Sequence, residues 1–155
     1  QTVRPMAHEV LRYGKASDAS EFVYDRPFQW GSKRTGPDLA RLGGKYPDMW
    51  HYRHFYDPRE VTAGSIMPRY TWLFDNKIDY LTLPKKMQVM QQLGVPYKND
   101  EVQNSVATAK AQANVIATGL AESGVPLQIM DKEVVALIAY MQRLGADFNK
   151  AEVSP

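Results

Sequence analysis

The segment 131–145 constrains the fold more than any other stretch of the chain. Its apolar residues recur at i, i+3, i+4 and i+7, which is the spacing of one face of an α-helix. This apolar stripe consists of Val134, Leu137, Ile138, Met141 and Leu144. Asp131 precedes the stripe and Gly145 follows it, so the pattern predicts a helix with a cap at each end. Such a face needs other elements to cover it.

Further helices are predicted from periodicity, proline and glycine. They run over about 3–13, 37–42, 47–55, 84–93 and 100–122. Only Glu21 to Tyr24 alternates in a way that suggests a strand. The predicted class is mainly α, a small helical domain with long loops rich in aromatic residues, Gly and Pro. A length of 155 residues fits one domain, which we assign to 1–145, with a C-terminal tail at 146–155.

Composition excludes several classes of function. The chain has no cysteine, which removes disulfides, thiolate metal sites and the C-x-x-C-H haem attachment motif from these residues. The net charge is only +2, without the basic stripe of a nucleic-acid-binding protein. The apolar stretches are too short to cross a bilayer, and no targeting segment is found. We expect either a mature form or an excised soluble portion, and the start at Gln1 favours excision.

Two histidines, His51 and His54, stand three residues apart on a predicted helix, where they can share a face. A metal site needs further ligands and a supporting outer shell, and the zincin pattern is missing. We therefore interpret them as one surface histidine and one core or interface histidine. A small helical hydrolase or metal enzyme using this pair stays open as the third function hypothesis.

Met67 stands in the run Gly64-Ser65-Ile66-Met67-Pro68. Methionine usually fills gaps in a core, but a Met-Pro pair in a Gly- and Pro-punctuated loop is hard to explain by packing alone. Its soft thioether sulfur can serve as an axial ligand of haem iron.

Longer stretches carry a resemblance. They include Arg4-Pro5, the run from Glu21 to Tyr46 with Phe28-Gln29-Trp30-Gly31-Ser32-Lys33-Arg34-Thr35-Gly36-Pro37-Asp38-Leu39, then Trp50-His51, Ser65-Ile66-Met67-Pro68 and Leu137 to Gly145. Together they resemble subunit II of cbb3-type cytochrome c oxidases, the FixO/CcoO family. The resemblance spans nearly the whole chain and is weakest from Lys98 to Met130.

The resemblance implies a cytochrome c-like domain, truncated on its N-terminal side, that begins just after the haem attachment motif. Met67 would be the second axial ligand of the haem iron, Pro37 would hold the proximal imidazole through its carbonyl, and Leu39 would pack on the haem face. Propionate or haem-edge contacts would come from Arg4, Trp30, Lys33 and Arg34. Haem c is expected in the full-length protein and absent from these 155 residues.

The implied function is electron transfer to the catalytic haem–copper subunit of a terminal oxidase, alongside other cytochrome c subunits. The implied location is the periplasmic face of the bacterial inner membrane, reached through an N-terminal anchor outside this chain. The second hypothesis is a cofactor-free binding or assembly module on a cytochrome-like scaffold. Without its expected N-terminal helix partner, the apolar stripe at 134–144 should drive self-association or be covered by repacking of the chain's own helices.

Overall fold

The computed structural model describes residues 2–24, 39 and 41–146. Over these residues the chain is mainly helical, which confirms the predicted fold class. The α-helices are α1 Ala7–Tyr13, α2 Asp48–Tyr56, α3 Pro58–Val61, α4 Trp72–Asp75, α5 Leu83–Gln92, α6 Asn99–Gln103, α7 Ser105–Ala121 and α8 Glu133–Arg143. Short 3-10 helices span Ala19–Phe22, Tyr80–Thr82 and Leu127–Asp131.

The backbone forms two compact units. The larger one is Tyr46–Met141 and contains α2 to α7 with most of α8. The smaller one is built from the described parts of Gln1–Lys45 and Gln142–Pro155.

Helix α7 supplies the centre of the larger unit's core. The fully or nearly fully buried members of this core are Phe55, Ala113, Ile116, Ala117, Leu120, Val125, Ile129, Val134, Val135 and Ile138. Three of them lie on α8, where Val134, Val135 and Ile138 are completely shielded from water. Full burial of one such side chain is worth about 1.5–3 kcal/mol, so α7 and α8 contribute a large share of the stability of this unit.

The apolar stripe of the last helix is therefore covered by the chain itself. Val134 and Ile138 are buried, and Leu137, Met141 and Leu144 are half-buried. The expected self-association of the chain stays a prediction. Val135, which the periodicity left out of the stripe, is as deeply buried as Val134.

In the smaller unit, α1 ends as predicted at Gly14, whose φ of +85° is a conformation that side-chain-bearing residues rarely adopt. The segment before α1 is tied to the one after it, because the main chain of Val3 exchanges two 2.8 Å hydrogen bonds with Ser17. Buried Glu9 accepts the N–H of Arg4 at 2.8 Å and forms an ion pair with its guanidinium.

Several predicted boundaries differ from the structure. Helix α1 begins at Ala7, and Glu21 to Tyr24 contains no strand but the end of a capped 3-10 helix. The Asp18 carboxylate accepts the N–H of Ser20 at 3.0 Å there, and this local bond stabilises the tight turn. The helix expected over 100–122 is divided at Asn104 into α6 and α7.

The helix predicted from Pro37 lies mostly outside the described residues, and Leu39, Arg41 and Leu42 are not helical. Throughout the described ranges, no helix combines the length and the hydropathy needed to cross a membrane.

Candidate functional site

Residues 62–71, here called the Met67 loop, connect α3 to α4. The loop is stabilised by local hydrogen bonds. The N–H of Ser65 donates to the carbonyl of Thr62 at 2.9 Å, and the N–H of Met67 donates to the Ser65 hydroxyl at 3.2 Å. At its far end the N–H of Tyr70 donates to the carbonyl of Phe55 at 3.0 Å, which joins the loop to the last turn of α2. A main-chain hydrogen bond thus holds the Met67 loop to α2.

Asp57 provides a second connection. It lies between α2 and α3, where its buried carboxylate accepts the N–H of Arg59 at 3.2 Å and caps α3. The same carboxylate forms an ion pair with the guanidinium of Arg69, two residues after Met67. The hydrogen bond from Arg69 lowers the pKa of Asp57 below its usual value, so the carboxylate is charged at neutral pH.

Just before these two connections, Met67 is directed to the protein interior. Its side chain is half-buried and packs against the hydrophobic core of the larger unit. The preceding residue, Ile66, is 97% exposed. Met49 and Met141 are also half-buried against this core, but both lie on regular helices. Met67 differs from them because its thioether is carried by a non-helical segment that is tied to Asp57 and to α2 directly after it, at Arg69 and Tyr70.

Helix α2 and the segment just before it carry a cluster of rings, here called the α2 ring cluster: Tyr46, Trp50, His51, His54 and Phe55. Trp50 stacks on His54 with centroids 4.5 Å apart and on Tyr46 with centroids 4.1 Å apart. His51 meets the Trp50 ring edge-on at 5.3 Å and lies parallel to Phe55 at 6.4 Å. Phe55 in turn contacts Tyr70 edge-on at 6.4 Å, so the cluster adjoins the Met67 loop.

The two histidines differ in part from the sequence-based interpretation. His51 is the core residue, only 1% exposed. His54 is not a surface residue, because stacking on Trp50 leaves it half-buried with Nδ1 enclosed. Desolvation lowers the pKa of both imidazoles, so both are neutral at pH 7. Over the part of the chain that is described, no three His, Asp or Glu side chains come together as a metal site.

The other predicted site residues are distributed as follows. Arg4 lies in the smaller unit and is paired with Glu9, and Leu39 is half-buried. Pro37, Trp30, Lys33 and Arg34 lie outside the described residues. The haem contacts assigned to these six residues therefore remain predictions.

The sequence analysis missed the residues that hold Met67 in place. Asp57, Arg69 and the carbonyl of Phe55 were not recognised as partners of the loop. An Asp-Pro pair at a helix boundary is a readable capping signal, and it could have indicated Asp57 as a structural residue. Its ion pair with Arg69 across the loop had no sequence signal.

A search of curated proteins finds no match to this chain. A family model described as cytochrome c oxidase, mono-heme subunit/FixO, matches residues 1–148. That match covers nearly the whole chain, and the helical fold agrees with it. The chain therefore belongs to the FixO family of mono-haem cytochrome c oxidase subunits.

Proposed function

We propose that this chain is the electron-carrying domain of its oxidase subunit, and that Met67 supplies the axial thioether to a c-type haem. Membership of the FixO family makes the subunit an electron-transfer component of a cbb3 oxidase. To this family function the proposal adds the identity of the axial haem ligand and of the residues around it. The observation that carries it is the half-buried Met67 side chain on a loop fixed to α2 at Tyr70 and to Asp57 at Arg69.

A braced thioether suits this role for two reasons. A haem held by His and Met has a raised reduction potential, which is the chemistry that the cofactor supplies when bound. Electron transfer is favoured when the ligands move little between oxidation states. Pro68 fixes its own φ angle directly after Met67, and the Asp57–Arg69 ion pair limits movement of the following residues.

The remaining contacts follow from the family resemblance. Pro37 would accept a hydrogen bond from the proximal imidazole, and Leu39 would cover the haem face. Propionate or edge contacts would come from Arg4, Trp30, Lys33 and Arg34. The 155 residues contain no cysteine, and we propose that a C-x-x-C-H motif outside them would supply the covalent attachment. We propose the periplasmic face of the inner membrane as the location, and the catalytic haem–copper subunit as the electron acceptor.

The test uses the full-length, haem-loaded subunit and compares Met67→Ala with Met141→Ala. Met141 is the matched control because it too is half-buried against the same core. We expect Met67→Ala to abolish the charge-transfer band of thioether-ligated ferric haem and to lower the midpoint potential. Met141→Ala should leave both unchanged.

A Met67→Ala variant with the wild-type absorption spectrum would remove Met67 from the iron. A full-length subunit that is soluble and folded but takes up no haem would instead favour the cofactor-free assembly module. The absorption spectrum separates loss of the ligand from general destabilisation, because destabilisation lowers the haem content without producing a new spectrum.

A further inference from the structure

Two ring nitrogens in the α2 ring cluster are enclosed and have no hydrogen-bond partner among the described residues. They are Nε2 of His51 and Nδ1 of His54. A buried nitrogen without a partner is costly, and native proteins rarely retain one without a functional reason. The two unpartnered nitrogens therefore indicate that they bind a polar group in the fully assembled protein.

Both rings are held in fixed orientations. His54 is stacked on Trp50, which is itself stacked on Tyr46. His51 is only 1% exposed, and its ring is perpendicular to that of Trp50 and nearly parallel to that of Phe55. An imidazole nitrogen forms its hydrogen bond in the plane of the ring. Because aromatic packing fixes the ring planes of His51 and His54, it also fixes the direction in which each nitrogen can bond. The two histidines are three residues apart on α2, so they lie on adjacent parts of one helix surface.

The same helix holds the Met67 loop through Phe55 and Tyr70. Phe55 thus links the loop that carries Met67 to the helix that carries the two imidazoles, and all of them lie in the larger unit. A haem bound by Met67 would bring two carboxylates on otherwise apolar edges. A neutral imidazole carries one N–H donor, which suits a carboxylate oxygen.

We propose that His51 and His54 are positioning residues that donate hydrogen bonds, from Nε2 and Nδ1 respectively, to the haem propionates. This inference rests on the proposed function and extends it, because it assigns the acidic groups of the cofactor to residues that the family resemblance did not indicate. A metal ion fits less well, since the described residues offer no third ligand beside the pair.

The experiment uses redox titration of the full-length, haem-loaded subunit, with infrared difference spectra of the propionate carboxylates. The side-chain amide nitrogen of glutamine can occupy the position of a histidine Nε2, and that of asparagine can occupy the position of Nδ1. We therefore compare His51→Leu with His51→Gln, and His54→Leu with His54→Asn. His8→Leu is the control, because the His8 side chain is 69% exposed.

Loss of a donor leaves the propionate charge less neutralised, which favours the ferric state. Each leucine variant should lower the ratio of ferrous to ferric haem at a fixed potential about tenfold, equivalent to about 59 mV for one electron. The carboxylate bands should shift, and the amide variants should recover most of both effects. If the leucine variants do not fold, His51→Asn, which is too short to reach the place of Nε2, replaces His51→Leu in the comparison with His51→Gln.

Unchanged potentials and carboxylate bands in the leucine variants would overturn the inference. Equal effects in leucine and amide variants would do the same, because they would indicate packing alone. Stoichiometric zinc on the wild-type subunit, lost in His51→Gln, would assign the pair to a metal. Failure of the proposed function is seen separately, as an unaltered haem spectrum in Met67→Ala.

Discussion

The N–H of Tyr70 donates a 3.0 Å hydrogen bond to the carbonyl oxygen of Phe55. Carbonyls in the last turn of a helix have no partner within that helix, so the end of α2 is satisfied by the end of the Met67 loop. No side-chain substitution removes this bond directly. The side chains that can be tested are those that brace the loop beside it.

Asp57→Asn should weaken this brace and alter the acid stability of the chain. The folded state holds the pKa of Asp57 below its unfolded value of about 3.9. Its contribution is therefore present above about pH 4 and is lost as the pH falls through the folded pKa. We expect Asp57→Asn to be less stable than wild type at pH 7 and to lose less stability on acidification.

Urea unfolding curves at several pH values between neutral and acid would measure this effect. Asp100→Asn, at an exposed position on α6, is the control. Parallel pH profiles for wild type and Asp57→Asn would show that the ion pair with Arg69 makes no contribution to stability.

Leu120→Ala should destabilise the chain by about 2–5 kcal/mol, because Leu120 is completely buried and truncation leaves a cavity. Val115→Ala on the same helix is the control, since Val115 is 72% exposed and its loss should change stability by no more than about 0.5 kcal/mol. Equilibrium unfolding monitored by circular dichroism would measure both. Similar costs for the two variants would contradict the core described for α7.

Gly43→Ala and Gly119→Ala should have opposite effects. A Cβ at Gly43 would lie 2.5 Å from the carbonyl oxygen of Gln142 and 2.8 Å from that of Leu144, so the backbone must shift. A Cβ at Gly119 meets nothing within 4 Å on α7, and alanine there should stabilise the helix by about 0.5–1 kcal/mol. Thermal unfolding of the two variants provides the measurement. A Gly43→Ala protein as stable as wild type would refute the close contact between the Gly43 and Gln142 segments.

The buried histidines should make the chain less stable as the pH falls below about 6.5, the unfolded pKa of histidine. Desolvation lowers the folded pKa of His51 and His54, so the unfolded state takes up protons first and is favoured. The double variant His51→Gln, His54→Asn should lose most of this pH dependence, whereas His8→Gln should keep it. Denaturation midpoints of these proteins, measured from about pH 7.5 to about pH 5, would test this pH dependence.

Helix positions were largely readable because they depend on local chemistry. Gly14 ends α1, and Pro47 precedes α2 at the predicted place. The break at Asn104 was missed, because alanine-rich sequence favours a helix on both sides of it. The alternation from Glu21 to Tyr24, the one stretch that suggested a strand, does not form one, since a local bond from Ser20 to Asp18 outweighs a short alternating pattern.

The candidate site was only partly predictable. Met67 could be singled out because a thioether beside proline in a loop is unusual for a packing residue. The half-burial of His54 was missed, although its ring stack with Trp50 has the i, i+4 spacing of neighbours on the predicted helix. The ion pair between Asp57 and Arg69 could not be foreseen, because it forms across a loop and has no fixed spacing.

The sequence by itself determined the helical class, most helix ends, the apolar stripe of α8 and the family resemblance, because these follow from short-range periodicity, capping and residue identity. Only the tertiary structure decided what covers that stripe, what braces Met67, and that two imidazole nitrogens are enclosed without partners among the described residues. Burial and long-range pairing are established only when distant segments of the chain pack together. The local sequence around a residue does not show which distant residues it will contact.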